Sequence, residues 1–117
     1  MKNVKVNKEL LKGSTSILIL SLLDRKAMYG YQMIKEIELK SKGVFSFKEG
    51  TLYPLLHNLE NEGFIESYWD IEEGKRKRKY YKITTHGKKV LQEKQEEWKL
   101  FSSTVNLVLG GIDLCLQ

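Results

Sequence analysis

The sequence predicts a mostly helical α+β fold, in which four helices and one β-hairpin make up a single small domain with a long last helix. Three patterns predict it: an amphipathic segment that follows a short helix and a turn, two β-rich segments around a polar loop, and a long C-terminal segment with heptad spacing. The length of 117 residues, with 41% hydrophobic and 30% charged residues, fits one soluble domain with a modest core.

Residues 46–62 have the clearest helical pattern. One apolar stripe is formed by leucines at helical spacing, Leu52, Leu55, Leu56 and Leu59. Ser46 and Glu49 match a capping box at the start of the helix, and Gly63 is placed to end it. Pro54 lies inside this segment and has no N–H to donate. The helix therefore either begins later than the capping box suggests or bends at the proline.

The polar side of this central helix is free for recognition. We predict that it reads DNA through four residues, Lys48, Thr51, Tyr53 and His57. An ordinary amphipathic surface helix would have the same pattern, with Tyr53 packed under the hairpin and His57 solvated. This stretch alone favours the ordinary helix, so the DNA hypothesis depends on the rest of the chain.

Two helices are predicted before the central one. The first covers residues 8–23, and its second half is apolar on nearly every side, which predicts that another subunit covers part of it. A polar connection over residues 24–28 leads to the second helix, roughly residues 31–41, which Gly43 ends. The short link that follows gives a helix-turn-helix.

A β-hairpin with a basic tip follows the central helix. Residues 65–69 and 78–83 are rich in β-forming side chains, and a polar loop with one glycine separates them. The whole net charge of +5 equals that of one uninterrupted run, Lys75, Arg76, Lys77, Arg78 and Lys79. Charge concentrated in one place suits a polyanion, and we predict that all five side chains contact DNA phosphates. The alternatives are a solvated loop, or a hairpin that binds an acidic protein or RNA without sequence preference.

A long helix is predicted from its N-cap Thr84 to about Leu109, where two glycines follow. Its apolar residues occupy the a and d positions of about two heptads, with a break at Lys94: Leu91, Trp98, Phe101, Val105 and Val108. Such a seam could pack on its own domain. A long helix with a polar first half and an apolar end is more typical of a dimer arm, and we predict a homodimer.

In this order the elements make a winged helix-turn-helix with a two-stranded β-wing and a long C-terminal dimerisation helix. We expect residues 1–84 to form the DNA-binding domain, with the first helix also contributing to the dimer. Residues 85–111 would form the dimerisation helix, and residues 112–117 an apolar tail. A two-fold dimer places its recognition helices about 34 Å apart, which suits an inverted-repeat operator in double-stranded DNA.

The sequence argues against an enzyme, a cofactor or metal site and a membrane protein. The two histidines, His57 and His86, do not neighbour the single cysteine, Cys115, and we find no phosphate-binding loop or nucleophile motif. Cys115 has no partner for an internal disulfide and no predicted role. The longest apolar stretch, residues 17–23, is too short to cross a bilayer, and residues 1–9 are polar. We therefore expect a cytoplasmic protein.

Three motifs occur in a characteristic order and spacing: Tyr29-Gly30-Tyr31, Thr51-Leu52-Tyr53-Pro54-Leu55-Leu56 and Arg78-Lys79-Tyr80-Tyr81-Lys82-Ile83-Thr84. With these motifs the chain resembles the PadR family of transcriptional regulators over about residues 10–111. The single last helix, with Trp98 and the Gly110-Gly111 ending, resembles the short-tailed branch. Asn58 stands where the family commonly has a basic residue, and the wing is more basic than usual, so the operator sequence stays open.

The resemblance implies a dimeric repressor that leaves its operator when a small molecule binds or conditions change. In relatives of the short-tailed branch, planar aromatic compounds can lie at the dimer interface against a tryptophan of the last helix, and Trp98 matches that position. We accordingly predict a combined effector site and dimer interface formed by Leu18, Trp98, Phe101 and Val105.

Overall fold

Helices and strands alternate around one antiparallel sheet in the computed structural model, which describes residues 6–71 and 76–111. The elements in chain order are α1 Lys8–Lys12, α2 Thr15–Arg25, β1 Met28–Tyr29, α3 Gly30–Lys40, α4 Glu49–Asn61, β2 Ile65–Ile71, β3 Lys77–Ile83 and α5 Thr85–Leu109. The strand order is β1-β3-β2. The predicted basic residue Lys75 and the tail with Cys115 lie outside the described residues.

The core lies between the sheet and α2, α3 and α4. Its largest fully buried side chains come from all of these elements: Ile19, Leu20, Met33, Leu52, Leu56 and Ile65. The predicted leucine stripe of the central helix is confirmed, since Leu59 is also buried and Leu55 packs half-buried against the core. This packing fixes which side of α4 remains exposed.

The first predicted helix is divided in two. The prediction of one helix over residues 8–23 is wrong, because α1 ends at Lys12 and α2 begins at Thr15, with Gly13 as the C-cap of α1. Glycine has a low helix propensity, and the Thr15 hydroxyl donates a hydrogen bond back to the carbonyl of Lys12 at 3.2 Å. After the break α2 packs into the core, whereas α1 has no buried residue.

The polar connection predicted over residues 24–28 ends in a strand. Met28 is buried, and it pairs with Tyr81 while Tyr29 pairs with Tyr80, so β1 extends the hairpin to a three-stranded sheet. Two residues are too short to show the alternation by which a strand is recognised. The wing that projects from this sheet still has two strands, as predicted.

The central helix begins later than the capping box suggests. Its N-cap is Lys48, which makes no side-chain cap, and Ser46 lies outside the helix. The backbone of Lys48 is extended, and Phe47 just before it is 5% exposed in the core. At the other end the prediction is confirmed: Gly63 has a φ of +81°, and the amide of Phe64 donates to the carbonyl of Leu59 at 3.0 Å.

The start of α5 is anchored beneath β2. The Thr84 hydroxyl accepts a hydrogen bond from the Gly87 amide at 2.9 Å and donates to the carbonyl of Gly63 at 2.7 Å, which confirms Thr84 as the N-cap. Gly87 is buried, and a Cβ there would overlap the carbonyl oxygen of Phe64. Leu91 is also buried in the core of its own domain, so its assignment to an intersubunit seam is wrong.

Candidate nucleic-acid interface

The predicted recognition residues do not share one face of α4. Tyr53 and His57 lie one turn apart on the same flank, whereas Thr51 lies on the opposite flank, because successive residues are about 100° apart around the axis. Thr51 and His57 are exposed. Lys48 is exposed at the N-cap, just before the helix. The four residues therefore border the exposed side of α4 rather than forming one cluster.

Tyr53 combines packing with exposure. Its ring lies against the start of α3, where a Cβ added to Gly30 would be 2.5 Å from the Tyr53 hydroxyl. The side chain is nevertheless 43% exposed. Burial and the nearby Glu49 raise the pKa of Tyr53, so at neutral pH the phenol keeps its proton and can donate a hydrogen bond. Tyr53 is thus partly packed, as in the alternative to DNA contact, and the rest of its side chain is exposed.

The wing is joined to α4 through one of its two faces. The Ser67 hydroxyl on β2 donates to the Glu60 carboxylate on α4 at 2.6 Å. Opposite Ser67 on β3, Tyr81 is buried, and its pKa is raised by burial, by Glu60 and by Tyr53. Side chains on a strand alternate between faces. We call the continuation of this α4-side face beyond Ser67 and Tyr81 the inner wing face; it consists of Trp69, Ile71, Lys77 and Lys79.

The predicted basic run is split between the two faces of the wing. Lys77 and Lys79 are exposed on the inner wing face. Arg78, between them on β3, is half-buried on the opposite face of the wing, which we call the outer face. The Arg78 guanidinium lies 4.4 Å from the centre of the Tyr29 ring, and its Nε is buried. Arg78 thus joins β3 to β1 by a cation–π contact. Its contact with a phosphate stays a prediction, as does that of the exposed Arg76 next to the wing.

An aromatic row crosses the outer face of the sheet. The Tyr29 and Tyr80 rings meet edge to face at 5.4 Å, and the Tyr68 and Tyr80 rings are stacked at 5.7 Å. Lys82 lies over Tyr68 at 5.9 Å. Tyr29 entered the prediction only as part of a motif, because the short strand β1 that carries it has no sequence signal of its own. These contacts connect β1, β3 and β2 across the outer face of the sheet.

The second half of α5 exposes the predicted seam. Its a and d positions hold Trp98, Phe101, Val105 and Val108, whose side chains are between 36% and 81% exposed. The Trp98 and Phe101 rings are 6.1 Å apart, and a shallow apolar groove continues along the helix past Thr104 to Leu109. Leu18, the fourth predicted residue of this site, lies on α2, half-buried against the core. Helices α2 and α5 pack against each other.

A helix, a turn, a second helix with an exposed polar side and a basic hairpin beside it define a winged helix-turn-helix, the fold of many DNA-binding transcription regulators. The chain belongs to the PadR-like family of transcriptional regulators, whose family model matches residues 19–93. The predicted resemblance and fold are thereby confirmed, and with them a DNA-binding role in the regulation of transcription.

Solved structures agree over most of the chain. A transcriptional regulator from Clostridium thermocellum has 37% identity and a TM-score of 0.79, covering 86% of this chain and 95% of the other. A PadR-like transcriptional regulator from Bacillus cereus has 34% identity and a TM-score of 0.79, and the match covers 90% of this chain and 100% of the other. An uncharacterized protein of Lysinibacillus sphaericus is 36% identical over 109 residues, which are 92% of this chain and 99% of that protein.

The part of the chain that the structure describes has neither a membrane-spanning helix nor a metal-binding cluster. Among the helices of residues 6–71 and 76–111, none is long and apolar enough to cross a membrane. Over the same ranges, no three His, Cys, Asp or Glu side chains come together in a way that could hold a metal ion.

Proposed function

We propose that this protein is a dimeric, sequence-specific repressor that binds an inverted-repeat operator and is released by a planar aromatic effector. The observation that carries the proposal is the junction between Ser67 and Glu60, because it places the cationic inner wing face beside the exposed flank of α4. A helix that enters the major groove and a cationic hairpin that follows the adjacent backbone need this arrangement. Such a protein would work in the cytoplasm.

The exposed seam of α5 supports the dimer. Trp98, Phe101, Val105 and Val108 repeat at alternating intervals of three and four residues, as a and d positions do in a coiled coil. Large apolar side chains in a continuous row are costly to leave in water, so a second copy of the helix is the natural cover. Residues 1–84 then serve as the DNA-binding domain, to whose core the start of α5 adds Leu91, and within residues 85–111 the dimerisation role falls to the part after Lys94.

Trp98 and Phe101 support the effector site. Trp98 is 49% exposed, and its ring is 6.1 Å from that of Phe101, so a flat aromatic molecule could stack on the pair at the dimer interface. Titration with planar aromatic dyes should quench the emission of Trp98 and weaken operator binding. The Trp98→Phe variant should lose most of the quenching. Absence of both quenching and affinity in the wild-type protein would refute the effector part of the proposal.

Selection of bound duplexes from random-sequence DNA tests the repressor itself. At about 0.15 M salt, where long-range contacts between exposed charges are screened, we expect enrichment of an inverted repeat with half-sites about one helical turn apart. A reporter placed behind the selected sequence should then be repressed when the protein is present.

A non-specific polyanion-binding or protein-binding module is the second candidate. Exposed cations at Arg76, Lys77 and Lys79 favour it, since such a group binds any polyanion. In that case the selection would enrich no sequence, and binding would disappear with rising salt whatever the duplex. That result would exclude the sequence-specific repressor.

A further inference from the structure

The inner wing face exposes two large apolar side chains beyond the domain core. Trp69 is 59% and Ile71 60% exposed, and they are neighbours on the same side of β2. The strand continues about 3.4 Å per residue, so Trp69 and Ile71 lie about 7 and 14 Å past Ser67, the last residue of β2 that is bonded to α4. They therefore overhang α4 instead of packing on it.

The flank of α4 below this overhang is the one that carries Tyr53 and His57. Glu60, which holds Ser67, lies on the same flank as these two residues at about 100° per residue. The inner wing face and this flank of α4 therefore both extend from the junction between Ser67 and Glu60.

Charge differs sharply between the two faces of the wing. On the outer face each cation faces an acid across the strands, Arg78 opposite Asp70 and Lys82 opposite Glu66. On the inner wing face Lys79 faces Trp69 and Lys77 faces Ile71. Within Ile65–Ile71 and Lys77–Ile83, no acidic side chain lies on the inner side. The outer face balances its own charge, whereas the inner wing face combines apolar and purely cationic groups.

This combination is complementary to the DNA backbone. A duplex presents phosphates in two rows, with apolar deoxyribose edges between them along the walls of the minor groove. The Lys77 ammonium lies 6.0 Å from the centre of the Trp69 ring, so a group packed on the indole is within reach of the cation. Lysine stems cover apolar surface while their ammonium groups reach outward.

We propose that Trp69 and Ile71 form a docking surface for duplex DNA, packing on the deoxyribose edge of the minor groove while Lys77 and Lys79 bind the phosphates on either side. The inference rests on the proposed function and adds two apolar contact residues that the basic-wing hypothesis lacks. An acidic protein surface is the competing occupant, and the experiment distinguishes the two.

Trp69 can report its own contact with DNA. The chain has two tryptophans, Trp69 on the wing and Trp98 on α5. Addition of a selected operator duplex should change the emission of the wild-type protein. In Trp69→Phe, where only Trp98 emits, the change should be absent although the duplex still binds. An unchanged wild-type emission on binding, or an equal change in Trp69→Phe, would overturn the inference.

Affinity measurements with matched variants complete the test. Trp69→Ala should weaken operator binding about tenfold, whereas Tyr68→Ala, the neighbouring aromatic on the outer face, should change it less than twofold. Lys79→Ala should lower the slope of log affinity against log salt by about one, and Lys82→Ala, a lysine of the outer face on the same strand, should leave it unchanged. Thermal melting of each variant checks that the hairpin is folded.

The outcomes separate the two proposals. If the wild-type protein selects an operator but Trp69→Ala binds it equally well, the docking surface is refuted and the repressor stands. If the wild-type protein selects no duplex, the proposed function fails, and the docking surface fails with it. A binding loss of the same size in Trp69→Ala and Tyr68→Ala would also refute the inference, because it would reflect damage to the hairpin as a whole.

Discussion

The two halves of α5 belong to different surroundings. In the first half, Gly87 and Leu91 are buried in the domain, and the helix begins at the hydrogen-bonded N-cap Thr84. In the second half the large apolar side chains are exposed, and nothing in residues 6–71 and 76–111 covers them. A single helix thus completes the core of its own domain and then presents an apolar surface for a second molecule.

This difference shows why heptad spacing alone is a poor guide to a partner. Leu91 lies seven residues before Trp98 and fits the same register, yet it packs inside its own domain. Lys94, at the intervening d position, marks the change from one surrounding to the other. The position of the break, and not the period, separates the residues that stabilise the fold from those available to a dimer.

The largest effect is expected from Gly87→Val. A side chain at this position would overlap the backbone carbonyl of Phe64 and the side chain of Ile83, and backbone cannot move aside cheaply. We expect the free energy of unfolding to fall by about 4 kcal/mol or more, a large part of the roughly 5–15 kcal/mol by which a domain is stable. Urea denaturation followed by circular dichroism measures this change. Repeating it at several protein concentrations separates a defect within the subunit from a weaker dimer, because only the contribution of dimerisation depends on concentration.

Gly50→Ala is the matched control for this change. Gly50 also lies in a helix, but a Cβ there meets nothing within 4 Å. Replacing an unconstrained helical glycine by alanine should increase the free energy of unfolding by up to about 1 kcal/mol. Equal destabilisation by both changes would mean that the close contact at Gly87 is not what anchors α5.

The second effect, in order of size, is that of Leu91→Ala. Leu91 is 4% exposed, and a leucine-to-alanine truncation in a core costs about 3 kcal/mol through lost burial and the cavity left behind. Urea denaturation should show this loss, with the dimer dissociation constant of the folded protein unchanged. If Leu91→Ala became monomeric but kept the subunit stability of the wild type, the prediction would be wrong and Leu91 would belong to the intersubunit seam.

Phe101→Lys is expected to act on the other half. Phe101 is 60% exposed, so a lysine there leaves the subunit fold intact but places a charge in the seam. We expect the dimer dissociation constant to rise at least about 100-fold, which corresponds to about 2.7 kcal/mol of binding free energy. Sedimentation velocity measures it. Leu100→Lys is the control, because Leu100 is 70% exposed at a position outside the seam; equal dissociation by both would refute the coiled-coil geometry.

Periodicity and capping rules predict most of the fold. The leucine stripe of α4, the Gly63 terminus and the Thr84 cap are encoded locally, by residues a few positions apart. The capping box at Ser46 failed where tertiary packing intervenes: Phe47 is buried in the core just before the helix, and the backbone of Lys48 is extended. Likewise β1 exists only because β3 pairs with it, and two residues carry no pattern of their own.

The candidate site is less predictable, because it depends on which face a strand turns to a helix. All residues of the basic run are Lys or Arg, but they lie on both faces of the wing. Because side chains alternate along β3, Lys77 and Lys79 lie on the inner wing face, and Arg78 lies on the outer face against Tyr29. A strict count of the period of two would have separated them. The exposure of Trp69 has no such signal, since it depends on where α4 stops covering β2, and that is a property of the packed structure.

The smallest effect is expected from Thr84→Ala, at the start of the anchored half. The Thr84 hydroxyl accepts from the Gly87 amide and donates to the Gly63 carbonyl, so it joins α5 to the end of α4 as well as capping the helix. Removing an N-cap hydroxyl costs about 1 kcal/mol, measured by urea denaturation, and Thr84→Ser should cost only a few tenths of that because the hydroxyl remains. Since the cap belongs to the subunit, the seam should be unaffected and the dimer dissociation constant unchanged. A cap variant that weakened the dimer as much as Phe101→Lys does would mean that the two halves of α5 are coupled, and that the orientation of the whole helix, set at Thr84, controls the seam.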